Sequence, residues 1–154
     1  MNDKKINLLY IDDEPHNLIA FKAAFRRDFN IFIAESASEA RKIIDENDIH
    51  VILSDQRMPV ITGIEFFESI LETHPEPIRI LITGYTDINA VIDAINRGQV
   101  YKYLTKPWNE NDIRIFVRTA HEVFMLRREN AELTQKLMVA NGKLEFLARQ
   151  SLLS

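Results

Sequence analysis

Five polar residues of the types that handle phosphate and divalent cations are spread through the first two thirds of the chain. They are Asp12, Asp13, Asp55, Thr83 and Lys106. Carboxylates held close together repel one another unless a cation joins them, and oxygen ligands without His or Cys favour Mg²⁺, which often shares a phosphate oxygen. A carboxylate can attack phosphorus to give an acyl phosphate. The set therefore suits phosphoryl transfer, with a metal and an ammonium group neutralising charge on the phosphoryl oxygens.

Each of these residues follows the end of a segment that has strand character. The five segments are 6–11, 30–34, 50–54, 78–82 and 100–104. The third and fourth are almost continuously apolar, as in strands covered on both faces. Apolar residues at helical spacing lie between them, and Ser36 with Glu39 forms a candidate capping box. This alternation predicts an α/β fold with a doubly wound parallel sheet in strand order 2-1-3-4-5.

The predicted topology brings the five polar residues to one place. In an open parallel sheet, ligands bind outside the carboxyl ends of the strands. A single Asp after a strand is usually a turn former or a helix cap. Five suitable residues at the same edge of one sheet are better explained as a site.

Composition narrows the possible classes of protein. Hydrophobic residues make up 46% of the 154 residues, which suffices for a packed core, and the absence of cysteine excludes disulfides and thiol catalysis. No apolar run is long enough for a membrane helix or a signal peptide. The formal net charge of -4 argues against direct nucleic-acid binding. We therefore expect a cytoplasmic protein without membrane contact.

Four motifs together resemble the receiver domain of two-component response regulators. They are LLYIDDEP, SDQRMP, LITGY and YLTKPW, in the family's order over residues 6–108. The resemblance implies a flavodoxin-like (βα)5 fold in which Asp55 accepts a phosphoryl group from a sensor histidine kinase or a phosphotransfer protein. It further implies that Asp13, Asp55 and the Arg57 backbone carbonyl bind Mg²⁺ directly, with Asp12 acting partly through water. Such a domain is a signalling switch that catalyses only its own phosphorylation and dephosphorylation.

The resemblance also implies how the switch operates. Lys106 is similar to the residue that pairs with the phosphoryl group, Thr83 to the hydroxyl that moves toward it, and Tyr103 to the aromatic residue that then repacks. The side chains of Arg57 and Tyr85 border the cleft at places that influence dephosphorylation in the family. The segment 98–103 is one residue longer than the commonest form.

Two other functions compete with this interpretation. A metal-dependent phosphohydrolase of the haloacid-dehalogenase type also forms an aspartyl phosphate, but it has a second Asp two residues after the nucleophile, where this chain has Arg57. A receiver-like binding module would never be phosphorylated, and the complete set of acids, Thr83 and Lys106 argues against it.

The chain after Pro107 has a different pattern. We predict a receiver domain over 1–124 and a helical coiled-coil extension over 125–154 that leads to an output domain absent from this chain. Heptad a positions fall at Phe116, Val123, Asn130, Leu137 and Leu144. The d positions are Thr119, Leu126, Leu133, Ala140 and Leu147, and Glu122 at g can pair with Arg127 at e. Leucine-rich d positions with a buried Asn at a predict a parallel homodimer; the alternative is one amphipathic helix packed on its own domain or on a neighbour absent from this chain.

Overall fold

A computed structural model describes residues 5–84, 86 and 88–153 of the chain. The strands are β1 Asn7–Ile11, β2 Asn30–Ala34, β3 Val51–Asp55, β4 Ile78–Thr83 and β5 Lys102–Thr105. The helices are α1 Pro15–Phe25, α2 Ala37–Glu46, α3 Gly63–Ile70, α4 Ile88–Asn96 and α5 Glu110–Leu153. Strands and helices alternate, and the strands form one parallel sheet in the order β2-β1-β3-β4-β5. The predicted fold class and strand order are confirmed.

The sheet separates two hydrophobic clusters because successive side chains of a strand point to opposite faces. Leu8 and Tyr10 of β1 belong to the first cluster together with residues of α1 and α5, whereas Leu9 and Ile11 belong to the second. The second cluster takes its helical residues from α2, α3 and α4. The helices therefore cover both faces of the sheet. Because both faces of β3 and β4 are covered, these strands are almost continuously apolar in sequence.

The capping box predicted for Ser36 and Glu39 is only half formed. Ser36 accepts the N–H of Glu39 at 3.2 Å, but the Glu39 carboxylate accepts the N–H of Glu35, not that of Ser36. The reciprocal capping box is instead formed by Thr62 and Glu65 at the start of α3. This box begins α3 eight residues after the end of β3, so it fixes the far end of the loop that follows Asp55.

A buried arginine holds the long connection between α4 and β5. Arg79 of β4 is 8% exposed. Its guanidinium donates to the carbonyl oxygens of Pro75, Pro77, Gly98 and Gln99 at 2.9–3.3 Å. Two of these carbonyls belong to the segment that is one residue longer than usual, so the guanidinium satisfies backbone groups that the β5 ladder does not reach.

The chain divides into two compact units, Met1–Phe124 and Met125–Ser154. In the first unit, α5 buries Ile113, Val117, Ala120 and Phe124, at the 3.6-residue spacing of a single helix face. The second unit is one continuous helix in which every described side chain except Arg128 is exposed. Within the described residues, no helix is long and apolar enough to cross a membrane.

Candidate functional site

The register of the sheet brings the polar residues together at the carboxyl ends of the strands. Ile11 of β1 is level with Ser54 of β3, so Asp12 lies beside Asp55. Asp55 in turn pairs with Ile82 of β4, which places it next to Thr83. Thr83 pairs with Thr105 of β5, and the N–H of Lys106 donates to the Thr83 carbonyl at 3.0 Å. Five residues distant in sequence thus meet at one edge of the sheet.

Three carboxylates form the centre of this site. One oxygen from each of Asp12, Asp13 and Asp55 lies within 4.8 Å of the others. The Asp12 carboxylate is 1% exposed and accepts the Tyr10 hydroxyl at 2.7 Å and the Asn17 amide at 3.1 Å. Burial, followed by the Asp12 carboxylate, raises the pKa of the Tyr10 phenol, which therefore stays a neutral donor. Tyr10 and Asn17 orient the acid.

Asp55 combines burial with incomplete neutralisation. Its side chain is 7% exposed, and its Oδ1 lies 2.8 Å from Lys106 Nζ. This lysine contact is an ion pair, and among the described residues Oδ1 accepts no hydrogen bond. Burial raises the pKa of the Asp55 carboxyl, Lys106 and the Arg57 N–H lower it, and the Asp12 charge raises it further. The carboxylate therefore retains an oxygen that can bond to another group.

This donor set fits Mg²⁺. Its ligands are hard oxygens, and the residues described around them supply neither His nor Cys. The Asp55 Oδ1 atom, buried and without a hydrogen bond, is the kind of atom that a cation would satisfy. Asp13 is half-buried and so connects the cluster to solvent.

The residues expected to act in signalling lie beside these acids. Thr83 is 1% exposed, and its hydroxyl donates to the Gly84 carbonyl at 3.1 Å. Lys106 reaches Asp55 from the loop after β5. Tyr103 of β5 is half-buried and packs against the second hydrophobic cluster. Thr83 and Lys106 lie next to Asp55, and Tyr103 lies in β5. Their roles as switch residues remain predictions.

Arg57 connects two loops at the edge of the site. Its backbone N–H donates to the Asp55 carboxylate, and its Nη2 donates to the Thr86 hydroxyl at 2.6 Å. Tyr85, the other residue expected to border the cleft, lies outside the described residues. The arginine therefore joins the loop after β3 to the loop after β4.

A groove of about 460 Å³ runs beside Lys106 between α1 and the loop after β5. Asp12, Asn17 and Lys106 line one part of it, and the aromatic residues Phe21 and Trp108 line another. The Trp108 ring lies 6.0 Å from the rings of both Phe21 and Phe25. Trp108 thus packs on α1 and forms a wall of the groove.

Gly63, the first residue of α3, is needed for a close backbone approach that the sequence did not indicate. A Cβ at this position would lie 2.6 Å from the Asp55 carbonyl oxygen and 2.8 Å from Leu81 Cδ1. The Gly63 N–H also donates to the Gln56 carbonyl, and Gln56 Oε1 accepts the N–H of Ile64. The loop after the phosphoacceptor candidate is thus closed against the end of its own strand.

We predict that Gly63→Ala lowers the free energy of unfolding by about 1–3 kcal/mol, because the added methyl group overpacks this contact. Urea denaturation followed by tryptophan fluorescence measures the change. Gly84→Ala is the matched control, since a Cβ there meets nothing within 4 Å, and we expect a change within about 0.5 kcal/mol. Equal stability of the two variants would contradict the packing argument.

A five-stranded parallel sheet with an acidic cluster, a buried threonine and a lysine at the strands' carboxyl ends defines the class of two-component receiver domains. The family of response regulator receiver domains matches residues 8–118. The chain belongs to this family.

Known proteins support this assignment. The hydrogenase transcriptional regulatory protein HoxA of Cupriavidus necator is 35% identical over 154 residues, a match that covers 100% of this chain and 32% of that protein. A crystal structure of adenylate cyclase from Rhodopirellula baltica has 29% identity to this chain and a TM-score of 0.83, covering 86% of this chain and 98% of that one. A receiver domain from Clostridium thermocellum has 30% identity and a TM-score of 0.74, covering 79% and 98%. The chain spans about a third of the length of the curated relatives it matches.

Proposed function

We propose that the protein is a phosphorylation switch in which Asp55 accepts a phosphoryl group in a Mg²⁺-dependent reaction. The observation that carries the proposal is the Asp55 carboxylate, which is buried beside Asp12 and Asp13 and contacts Lys106 at 2.8 Å. One of its oxygens lacks a hydrogen bond. A carboxylate that lies next to a cation and has an oxygen without a hydrogen bond is a suitable nucleophile for phosphorus.

The reaction is a phosphoryl transfer to a carboxylate. A carboxylate oxygen of Asp55 attacks phosphorus, and the bond from phosphorus to the donor atom breaks, with the electron pair leaving on the donor. The product is an acyl phosphate, and attack of water on phosphorus later restores the carboxylate and releases inorganic phosphate. Lys106 balances the charge of the phosphoryl oxygens. The reaction requires ionised Asp55: burial leaves the pKa of its carboxyl raised, and the Lys106 ammonium and the Arg57 N–H oppose that shift.

Asp12, Asp13, Asp55 and the backbone carbonyl of Arg57 are the proposed Mg²⁺ ligands. Bound Mg²⁺ would neutralise the carboxylates and the phosphoryl oxygens. Tyr10 and Asn17 would keep the Asp12 carboxylate in position, since each donates to it.

A sensor histidine kinase or a phosphotransfer protein is the proposed donor, and a cytoplasmic location fits such a donor. Three kinds of relative, HoxA, NtrX and PilR, bear the names of regulatory proteins, and HoxA is named as a transcriptional regulator. We propose that this chain is the switch of a regulator whose output lies in another domain. The described segment itself is not proposed to bind nucleic acid.

The phosphohydrolase alternative finds no support in the site, because Arg57 occupies the position of the second Asp and uses its side chain to contact Thr86. A receiver-like module that is never phosphorylated is a more serious rival. An exposed Asp55 without a lysine beside it would favour that module. Asp55 is instead buried and forms an ion pair with Lys106.

The test is a mass measurement on the whole chain after incubation with acetyl phosphate and Mg²⁺. We expect one added phosphoryl group, and no addition when EDTA removes the metal, because the clustered carboxylates would then be uncompensated. Absence of labelling with Mg²⁺ and with a panel of histidine-phosphorylated donors would favour the binding module. Continuous release of phosphate from diverse phosphomonoesters would favour the phosphohydrolase.

Transmission of the signal is a separate prediction. The phosphoryl charge should draw Lys106 and the Thr83 hydroxyl toward Asp55, and Tyr103 should repack into the space that Thr83 leaves. A difference of a few kcal/mol suffices to shift such a two-state population. Lys106→Ala should therefore remove most of the chemical-shift changes that beryllium fluoride with Mg²⁺ causes in residues 83–106, while leaving the fold intact.

The matched control for that measurement is Lys143→Ala, which removes an equal charge from the second unit and should leave the response of residues 83–106 unchanged. A full response in Lys106→Ala would show that the signal does not pass through this lysine.

A further inference from the structure

We propose that Arg57 is a second sensor of the phosphoryl group: its guanidinium holds Thr86 before phosphorylation and leaves that hydroxyl for the phosphoryl oxygens afterwards. This inference rests on the proposed phosphorylation of Asp55. It assigns a function to the contact between Arg57 Nη2 and Thr86 Oγ1, which measures 2.6 Å. We call this contact the Arg57–Thr86 latch.

The latch is attached at one end to the phosphoacceptor. The Arg57 backbone N–H donates to the Asp55 carboxylate, so a new group on that carboxylate lies within the immediate surroundings of Arg57. At the other end, Thr86 lies three residues after Thr83 and two residues before α4 begins at Ile88. The latch thus joins the reacting carboxylate to the loop that leads into α4.

The chemistry of the two partners favours an exchange. The Thr86 hydroxyl is a neutral acceptor, and both Arg57 and Thr86 are exposed, so water competes for the bond. A phosphoryl group carries a charge of about −1.5 to −2 and three strong acceptor oxygens. The guanidinium fork matches two such oxygens at once, which a single hydroxyl cannot offer. The phosphoryl group is therefore the better partner once it is present.

The exchange would have a consequence that Lys106 and Thr83 do not produce. Release of Thr86 removes a tie between the loop after β3 and the loop after β4. The start of α4 would become free to move when Asp55 is phosphorylated, and it would be held when Asp55 is not. The latch would thus increase the difference in the mobility of the start of α4 between the unphosphorylated and the phosphorylated protein.

The test uses the whole chain and beryllium fluoride with Mg²⁺ as the phosphoryl analogue. Trp108 is the single tryptophan and lines the groove next to Lys106, so its fluorescence measures binding. Arg57→Gln keeps the backbone carbonyl but removes the charged fork, and we expect binding to weaken about 10-fold. Thr86→Val removes the competing Thr86 hydroxyl and keeps the guanidinium, and we expect binding to tighten about 3-fold.

Two further variants separate the exchange from a merely structural contact. In the double variant, Thr86→Val should add nothing to Arg57→Gln, because the latch is already absent. Arg97→Gln, at an exposed arginine of the α4–β5 connection, is the control and should leave binding unchanged. NMR provides an independent measure, since the Arg57 Nε–H signal should shift on binding in the wild type.

The outcomes are distinguishable. If Arg57→Gln and Thr86→Val change the affinity in the same direction, or if Arg57→Gln leaves it unchanged, the exchange is wrong even though the wild type binds the analogue. An unshifted Arg57 Nε–H signal in the bound wild type also overturns it. A wild type that binds no analogue and takes no phosphoryl group contradicts the proposed function itself.

Discussion

Asp55→Asn should take no phosphoryl group from acetyl phosphate under conditions in which the wild-type chain takes one. The amide oxygen is a poor nucleophile for phosphorus, and the substitution removes the negative charge that Lys106 contacts at 2.8 Å. The change preserves side-chain shape, so the fold should persist. Intact-protein mass spectrometry measures the label directly, and peptide mapping after hydroxylamine treatment locates it.

The control is Asp93→Asn, which removes an aspartate of α4 that is 59% exposed and forms an ion pair with Arg97. Labelling of this variant should equal that of the wild type. If Asp55→Asn is labelled as fully as Asp93→Asn, another residue is the nucleophile, and Asp12 and Asp13 become the candidates. If both lose labelling, the assay reports folding and not chemistry.

The same labelling experiment, repeated at several Mg²⁺ concentrations, tests the proposed metal ligands. Asp13→Asn leaves the nucleophile intact but removes one proposed ligand, so labelling should survive at high Mg²⁺ and fail at low Mg²⁺. Altering even a residue that only supports a metal ligand typically costs about 10–100-fold in metal affinity, and loss of a ligand should cost at least as much. A Mg²⁺ requirement identical to that of the wild type would remove Asp13 from the ligand set.

The place of the five polar residues was predictable because it depends on rules that hold for every parallel sheet. Alternating strand and helix patterns specify the strand order, and the order brings the strand ends together. Strand ends could be set only within a residue or two: Asp55 and Thr83 are the last residues of β3 and β4, not the first residues after them. This shift does not alter which side chains meet.

The supporting residues could not be found in the same way. Tyr10 lies within an apolar strand and fits the pattern of a core residue, yet its hydroxyl reaches Asp12 at 2.7 Å. The need for Gly63 depends on how closely a loop returns to the Asp55 carbonyl, and such a distance has no signal in sequence. Arg79 is similar, because an arginine in an apolar strand acquires its four carbonyl partners only from the folded connections. Local spacing predicts elements, whereas these contacts depend on loop paths.

The first heptads of the tail show how tertiary packing limits a sequence pattern. Phe116 and Val123 occupy a positions, but both are half-buried against the first hydrophobic cluster. Lys102 lies over the Phe116 ring at 5.2 Å. These two side chains already have partners within the first unit. A seam between two copies is therefore proposed from Leu126 onward.

We propose that the second unit forms a parallel two-stranded coiled coil, and we predict that a charge placed in its seam converts a dimer to a monomer. Leu126, Leu133, Leu137, Leu144 and Leu147 occupy a and d positions and are 50–64% exposed in the single chain. Burying a leucine side chain contributes about 1.5–3 kcal/mol. Leu137→Glu should lose this contribution twice per dimer and place two like charges opposite each other. Sedimentation velocity measures the change.

Met138→Glu is the matched control, because it adds the same charge one residue further along, at heptad position b. Met138, Val139 and Phe146 are exposed apolar residues outside the a and d positions, and a two-stranded coil leaves them exposed. Met138→Glu should therefore stay dimeric. A wild-type monomer at high micromolar concentration would contradict the dimer, and a tetramer disrupted by Met138→Glu would show that this second set of residues also packs.

Asn130 determines the direction of the pairing. In a parallel dimer the two Asn130 side chains at position a face each other and can exchange hydrogen bonds, whereas an antiparallel or shifted pairing leaves an amide opposite leucine, at a cost of about 1–3 kcal/mol. Asn130→Leu should consequently raise the thermal stability of the assembly and permit species larger than the dimer. Gln135→Leu, which adds the same side chain at the outward position f, should keep a single dimeric species. Cysteine substitution at Leu126 tests the direction itself, since rapid disulfide formation between two copies requires parallel helices in register. If the Leu126→Cys variant crosslinks slowly while Asn130→Leu remains a single dimer, the parallel arrangement is wrong.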